Sequence, residues 1–394
     1  MNRHRDKIQF REAIPMSSDQ KQPLSNTFSP RLEAIRGIAA LMVALCHSMA
    51  ALILITPTDQ WLKQASVVLG NGGAAVTIFF VLSGHVLGLS IKTIHSHPIR
   101  YWFVFLIRRA LRIYPAMLVC LLCCAAYLAW IYLPDKYPAA SREYYQHWQQ
   151  GANWDLLYRN IILIDNYINP VTWTLQVELL GALAFPFLYT IKTRYPTLSY
   201  FLFAAWLLYF IATPLYSYFR TGFIYMFLVG LYVNDVSRWF HHRLQQNLIG
   251  KISALGYFGL CFTNLIIPES TAWGWILESA FALLLLASLI TFPNQSKIPW
   301  LDSREARFIG KISYSFYLWH FPVLYISATE MFKVFDTEML LNHPLLFQWA
   351  LFGVSSALTI PIASVSYRWI ELPCKTLLLN KTRFTAQGEQ LNER

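Results

Sequence analysis

Charged residues are scarce in this chain of 394 amino acids, since Asp, Glu, Lys and Arg together make up only 13% of it. Soluble globular domains carry about 25% charged residues, whereas 56% of this chain is hydrophobic. These values exclude a soluble globular protein, and repeated apolar stretches of about 20 residues predict an all-α, polytopic membrane helical bundle. We predict about ten spans, at 34–55, 74–91, 113–133, 173–191, 198–216, 222–236, 252–267, 273–292, 308–328 and 345–367.

Several motifs of soluble enzymes are also missing. The sequence has no Gly-x-Ser-x-Gly elbow, no His-Glu-x-x-His and no Walker-type loop. Of the six cysteines, all but Cys374 fall inside predicted spans, which argues against a disulfide framework. Cys120-x-x-Cys123 lacks nearby partner ligands, so we interpret it as buried packing and predict no metal and no bound cofactor. The stretch 70–73 (Gly-Asn-Gly-Gly) lacks the third glycine of a dinucleotide motif and predicts a flexible start to the second span.

The few charges are unevenly distributed, with a net charge of +11. With ten spans and the N-terminus inside, 32 Lys and Arg residues divide so that only six face outward: Lys63, Lys136, Arg142, Arg159, Arg220 and Lys333. The positive-inside rule therefore places both termini in the cytoplasm. A basic inner rim favours anionic lipids or an anionic substrate over nucleic acid. We predict a disordered tail at 1–30, a membrane domain at 31–373 and a polar cytoplasmic tail at 374–394.

Arg36 and His47 form the most informative pair in the sequence. They are eleven residues apart, and everything between them is apolar or small. Eleven helical steps come within about 20° of three full turns, so both side chains share one face, about 16 Å apart along the axis. His47 then lies near the middle of the bilayer, where an ionisable side chain is costly and indicates function. A structural hydrogen bond to another span is the alternative.

Glu178 is the carboxylate that we expect to orient His47. It follows Trp173 by five residues in the fourth span, which places it about 8 Å below an outer end at Trp173. An acid at that depth needs a partner or must stay protonated. A structural hydrogen bond is the alternative interpretation. Glu278, inside the eighth span, is a weaker candidate because no motif surrounds it.

Three arginines and a set of polar residues complete the candidate site. Arg108, Arg109 and Arg112 fall on the inner side, either as a positive-inside anchor or as a phosphate-binding group. The polar residues within predicted spans either bond neighbouring helices or line a shared cavity, and we favour the cavity for the set. These residues are Ser83, His85, Trp173, Ser313, Tyr317 and His320.

Together these residues resemble the acyltransferase-3 family of integral-membrane acyltransferases, which includes O-acetyltransferases of O-antigen and exopolysaccharide. The resemblance covers about residues 31 to 373 and depends on six motifs in register. The motifs are Arg31-Leu-Glu-Ala-Ile-Arg36-Gly-Ile-Ala-Ala with His47, Phe79-Phe-Val-Leu-Ser-Gly84, Arg108-Arg-Ala-Leu-Arg-Ile-Tyr-Pro115, Trp173-Thr-Leu-Gln-Val-Glu178, Ser313-Tyr-Ser-Phe-Tyr-Leu-Trp-His320 and Trp369-Ile-Glu-Leu-Pro373.

The resemblance implies a ten-span core in the bacterial inner membrane. Such proteins take an acyl group, commonly acetyl, from cytoplasmic acyl-CoA and deliver it to a hydroxyl of a glycan or lipid-linked sugar. It also implies that Arg36 and His47 are essential and that Arg109 and Arg112 serve donor binding. His85 stands where the family usually has Phe, and Ala75-Val-Thr77 replaces the usual lead-in, so the acceptor pocket is expected to differ.

From these points we hypothesise that His47, oriented by Glu178, takes the proton of the acceptor hydroxyl. A mechanism in which His47 itself is acylated, through an acyl-histidine intermediate, is an equal alternative to direct transfer. A proton-coupled transporter or flippase for lipid-linked sugars is the alternative function, with His47 and Glu178 as a proton relay. Another multispan acyltransferase type on an unrelated scaffold is a further alternative, against which the Arg36 and His47 pairing argues.

Overall fold

The computed structural model describes residues 30–53, 60–91, 98–132, 135–148, 151–213, 220–267, 271–291, 299–374 and 376. Almost all of the predicted tails at 1–30 and 374–394 lies outside these residues. The described chain forms helices joined by turns, with one isolated bridge between Leu52 and Ala140. The α-helices are α1 (Pro30–Met49), α2 (Gln60–Leu69), α3 (Gly72–Ile91), α4 (Pro98–Trp130), α5 (Arg142–Tyr145), α6 (Trp154–Ile161), α7 (Trp173–Arg194), α8 (Pro196–Ala212), α9 (Tyr225–Arg243), α10 (Gln246–Ile266), α11 (Ala272–Thr291), α12 (Arg304–Val334), α13 (Thr337–Asn342) and α14 (Pro344–Ser366).

Seven segments of the described chain are long and apolar enough to cross a membrane. They are Pro30–Met49, Trp61–Ile91, Trp102–Trp130, Pro170–Arg194, Gln246–Ile266, Ala272–Thr291 and Pro344–Cys374. The all-helical, multi-pass architecture is therefore confirmed. Each of the ten predicted spans overlaps a helix, but α8 has only 17 residues, and α9 and α12 are not among the seven. The crossing of the membrane by these three helices stays a prediction.

Glycines bring helix backbones into direct contact at two crossings. Where α3 meets α9, a methyl group on Gly84 would lie 2.3 Å from the Phe227 carbonyl oxygen, and one on Gly230 would lie 2.2 Å from that of Val81. α1 and α12 meet in the same way through Gly37 and Gly310. Small residues let membrane helices approach closely, and van der Waals contact then stabilises the pair. These crossings fix α1, α3 and α12 around the site described below.

We expect Gly84→Ala to destabilise the bundle, because the added methyl group meets backbone atoms that cannot rotate away. Overpacking of this kind costs about 1–3 kcal/mol. Thermal unfolding of the detergent-solubilised protein measures the effect. Gly353→Ala in α14 is the matched control, since no atom of the described residues lies within 4 Å of a methyl group there, and its unfolding temperature should not fall. Equal unfolding temperatures for the two variants would contradict the prediction.

Local structure departs from the sequence-based expectation in three places. α1 ends at Met49 rather than at residue 55. The third predicted span starts at 113, whereas α4 starts at Pro98 and runs unbroken through Pro115, because a packed membrane bundle can satisfy the backbone groups that a proline releases. The stretch 70–73 is held in place, not flexible: Asn71 is fully buried, its amide donates to the Leu260 carbonyl at 2.9 Å, and its side-chain oxygen accepts from the Ala74 backbone at 3.0 Å.

Glu278 belongs to this buried network around Asn71. Its carboxylate accepts hydrogen bonds from the Asn71 amide at 3.0 Å and from the Thr77 hydroxyl at 3.4 Å. Glu278 is only 1% exposed, and burial of an acid at this depth requires such partners. The network joins α3 to α11, and Glu278 does not line the cavity described below. A structural role therefore accounts for Glu278.

The end of the predicted outer loop, 134–172, folds into the bundle. Ile168, Asn169 and Thr172 are fully buried, and the Asn169 amide donates to the Leu318 carbonyl at 2.9 Å. Leu318 lies near the middle of α12, so α7 begins beside the middle of that helix. The start of α7 at Trp173 agrees with the predicted start of the fourth span, whereas its position beside the middle of α12 was not expected. Polar side chains of this turn, such as Asn169, have hydrogen-bond partners inside the bundle, and this allows α7 to start there.

Candidate active site

A cavity of about 320 Å³ lies among α1, α3, α4, α7 and α12. Six of its lining residues are apolar: Phe79, Phe80, Leu82, Val86, Ile113 and Leu175. The charged and hydroxyl-bearing lining residues are Glu33, Arg36, Ser83, Arg109, Arg112, Thr174, Glu178, Ser313, Tyr314 and Tyr317. The structure thus brings together seven of the residues singled out in the sequence, namely Arg36, Ser83, Arg109, Arg112, Glu178, Ser313 and Tyr317.

Arg109 and Glu178 form a buried ion pair across the cavity wall. The Arg109 guanidinium lies 2.8 Å from the Glu178 carboxylate, and the two side chains are 7% and 19% exposed. Charges buried in this way must be paired. The Nε atom of Arg109 is buried without a hydrogen-bond partner among the described residues. Glu178 was expected to orient His47, whereas the structure joins it to Arg109.

Arg36 is anchored to α12. Its Nε donates to the Ser313 hydroxyl at 2.7 Å, and its terminal nitrogen donates to the Gly310 carbonyl at 3.3 Å. The close crossing at Gly37 and Gly310 makes these contacts possible. Electrostatic interactions connect Arg36 to Arg112 and to three carboxylates, Glu33, Glu178 and Glu371. With three arginines and two glutamates in its lining, the cavity suits an anion held by forked donors.

His47 lies beside His320, and neither residue lines the cavity. Their ring centroids are 5.6 Å apart with a 28° angle between the planes. Phe321 packs edge-on against His47 at 5.3 Å and against His147 at 5.4 Å. His147 belongs to the outer-loop segment, where burial lowers its pKa to about 4. The imidazole of His147 is therefore neutral at physiological pH.

Tyr317 separates the cavity from the histidine pair. It lines the cavity, its ring lies 5.5 Å from that of His320, and Phe79 packs edge-on behind it at 5.4 Å. The Tyr317 hydroxyl donates to the Val171 carbonyl at 3.2 Å and lies 2.9 Å from the Thr174 hydroxyl. We call Phe79 and Tyr317 the aromatic wall. Tyr317 therefore contacts His320 on one side and contributes to the cavity lining.

The other predicted site residues lie around the cavity. His85 is 3% exposed, on α3. Trp173 packs against Phe80 at 6.0 Å, and the Arg220 guanidinium lies 4.9 Å above its ring, an arrangement that stabilises the cation. Arg108 is half-buried next to Arg109 and does not line the cavity.

Sequence reasoning missed four residues of this region. Glu33 stands within the Arg31–Arg36 motif and could have been found there. Thr174 and Tyr314 could not be separated from ordinary helix contacts, and His147 could not be placed because its loop conformation depends on tertiary contacts. Within the described residues, no group of His, Cys, Asp or Glu side chains could hold a metal ion.

Comparisons with known proteins identify sequence relatives of this chain. The model of the acyltransferase domain family matches residues 29–368. A Staphylococcus aureus (strain MSSA476) protein named "Putative O-acetyltransferase" is 26% identical over 375 residues, which cover 88% of this chain and 57% of that relative. The O-acetyltransferase OatA of Staphylococcus aureus (strain NCTC 8325 / PS 47) is 24% identical over 91% of this chain and 60% of its own length. The chain thus spans less than two thirds of these relatives. No solved structure matches it significantly.

Proposed function

The chain belongs to the acyltransferase-3 family, whose domain model matches residues 29–368, and on this premise we propose that it is a membrane O-acyltransferase. It transfers an acyl group, in the simplest case acetyl, from acyl-CoA to a hydroxyl of a cell-surface glycan or lipid-linked sugar. The relatives named O-acetyltransferases support the reaction class. The cavity carries the proposal, since it gathers three arginines, and its lining residue Tyr317 packs against His320, the ring beside His47.

The arginine cavity is the donor site in this proposal. Its volume of about 320 Å³ lies at the lower end of the range for small-molecule sites, which suits the narrow pantetheine arm better than the whole of acyl-CoA. Arg112 and the neighbouring Arg108 then meet the phosphates at the rim, where guanidinium groups bind phosphate oxygens in pairs. Arg36 and Arg109, held by Ser313 and Glu178, supply positive charge deeper in the cavity.

This assignment agrees with a cytoplasmic side for the arginines. The positive-inside distribution places the beginning of α1 and of α4 inside, where acyl-CoA is available. We therefore propose ten spans, including α8, α9 and α12, with both termini in the cytoplasm of a bacterium and the protein in its inner (plasma) membrane. Membrane lipids surround the bundle.

The transfer itself is assigned to His47. His47 takes the proton from the acceptor hydroxyl as the oxygen attacks the thioester carbonyl, the carbon–sulfur bond breaks, and the proton returns to the departing thiolate. The transporter alternative needs Glu178 as a proton relay with His47, and the ion pair with Arg109 holds that carboxylate elsewhere.

We expect Arg112→Ala to raise the KM for acetyl-CoA by about 10-fold or more with a smaller effect on kcat, because a charge-assisted hydrogen bond contributes about 1.5–3 kcal/mol. Membranes containing the full chain are incubated with radiolabelled acetyl-CoA, and alkali-labile label is measured against donor concentration. Arg142→Ala, an exposed arginine on α5, is the control and should leave KM unchanged. Wild-type membranes that transfer no label from acetyl-CoA, although the protein is present, would overturn the proposed donor.

A further inference from the structure

His320 lies beside His47 with the ring centroids 5.6 Å apart, and its hydrogen bonding fixes its tautomer. The Nδ1 atom of His320 lies 2.7 Å from the Tyr317 carbonyl oxygen. A carbonyl oxygen can only accept, so the hydrogen of the neutral ring is on Nδ1. The Nε2 atom of neutral His320 therefore carries a lone pair and no hydrogen.

That Nε2 atom is buried and has no hydrogen-bond partner among the described residues. His320 is 1% exposed, and the great majority of buried polar atoms in native proteins are partnered. An orphaned acceptor at this depth implies a donor that arrives when the site is occupied. The same tautomer excludes His320 as a hydrogen-bond donor to an oxyanion through Nε2.

His47 is the donor within reach. A direct N–H···N bond between two imidazoles places their centroids about 5.3 Å apart, because about 3 Å separates the nitrogens. The observed separation is 5.6 Å with the rings stacked, and Nε2 of His320 makes no hydrogen bond to His47 in this state, so the bond forms only when the two rings turn edge to edge. Catalytic hydrogen bonds are often long in unliganded sites and shorten in the productive complex. His147 is a poorer partner, because the contact that it shares with His47 is the edge of the Phe321 ring.

We propose that His320 is the positioning residue for His47, in the role usually taken by a carboxylate. Its Nε2 accepts a hydrogen bond from one nitrogen of His47, which leaves the other nitrogen of His47 free to take the proton of the acceptor hydroxyl. This inference rests on the proposed acyl transfer. Only one of the two rings is protonated at a time, because two adjacent imidazolium charges repel strongly where water is excluded.

Two substitutions at position 320 separate this role from a structural one. In His320→Asn the shorter amide reaches only the position of Nδ1, so it keeps the bond to the Tyr317 carbonyl and loses the acceptor near His47. In His320→Gln the longer amide places an acceptor oxygen near the position of Nε2. We expect the Asn variant to lower kcat about 100-fold with an unchanged KM for acetyl-CoA, and the Gln variant to retain more activity than Asn.

The same membranes and radiolabelled acetyl-CoA provide the assay, with protein amount and unfolding temperature recorded for each variant. A His47→Gln/His320→Asn double variant should be no slower than His47→Gln alone, since the second residue acts through the first. Asn activity equal to or above Gln activity would overturn the role of Nε2 while leaving the acyl transfer intact. Absence of transfer by the wild-type protein would overturn the proposed function itself.

Discussion

His47→Gln should lower acyl transfer by about 10²- to 10⁴-fold, the range that general acid–base catalysis contributes. The side chain of glutamine is similar in length and can form hydrogen bonds, but it cannot take a proton at physiological pH. His47 lies outside the arginine cavity, so the KM for acetyl-CoA should change little. Mass spectrometry of cell-envelope glycans from cells that carry each form gives the readout, since an O-acyl group adds a defined, alkali-labile mass.

His242→Gln is the matched control for this substitution. His242 is exposed near the end of α9, so its replacement should leave the acyl mass at the wild-type level. If cells with His47→Gln contain that mass at the wild-type level, the protein is still an acyltransferase, but His47 is not its catalytic base.

Glu178→Leu should destabilise the protein by about 3–5 kcal/mol, since it leaves the Arg109 guanidinium buried without its counter-charge. The double substitution Arg109→Leu/Glu178→Leu removes both charges, so its unfolding temperature should return close to that of the wild type. Acyl transfer should remain lost in the double variant, because the donor cavity then lacks Arg109. Thermal unfolding together with the acetyl-CoA assay separates these two effects.

The exposed pair of Glu330 and Lys333 provides the comparison for this ion pair. Their side chains are 58% and 51% exposed, with 2.8 Å between the charged atoms. Surface pairs contribute at most about 1 kcal/mol, so Glu330→Leu should shift the unfolding temperature far less than Glu178→Leu. A double Arg109 and Glu178 variant as unstable as the single one would show that the cavity wall needs these side chains for packing rather than for charge balance.

Hydropathy was sufficient to predict the helical membrane bundle, and the sequence motifs singled out seven residues that line one cavity. Arg36 and His47 share α1 as their spacing predicts, and Arg109 and Arg112 both line the cavity. The partners of these groups depended on packing between distant segments. The sequence spacing of Glu178 says how far it lies from Trp173, but not that the preceding turn enters the bundle and carries Glu178 to Arg109.

Two further features escaped prediction for related reasons. Asn71 looks like part of a flexible glycine-rich turn, because the Leu260 carbonyl and Glu278 that hold it are about 190 or more residues away in sequence. The pairing of His47 with His320 depends on where α1 crosses α12, and that crossing is set by Gly37 and Gly310. The sequence singles out each histidine separately, but their adjacency depends on how α1 crosses α12.

The aromatic wall also bears on how tightly the membrane is sealed. Ionisable side chains on both sides of a bilayer core could together offer a hydrated path for protons. Each elementary charge that crosses a potential of 100 mV releases about 2.3 kcal/mol, so such a path would dissipate the proton-motive force. Tyr317 packs against His320 and lines the charged cavity, and Phe79 packs against Tyr317. We expect the wall to interrupt a continuous file of water, so that the protein can hold reactive groups within the bilayer without acting as an uncoupler.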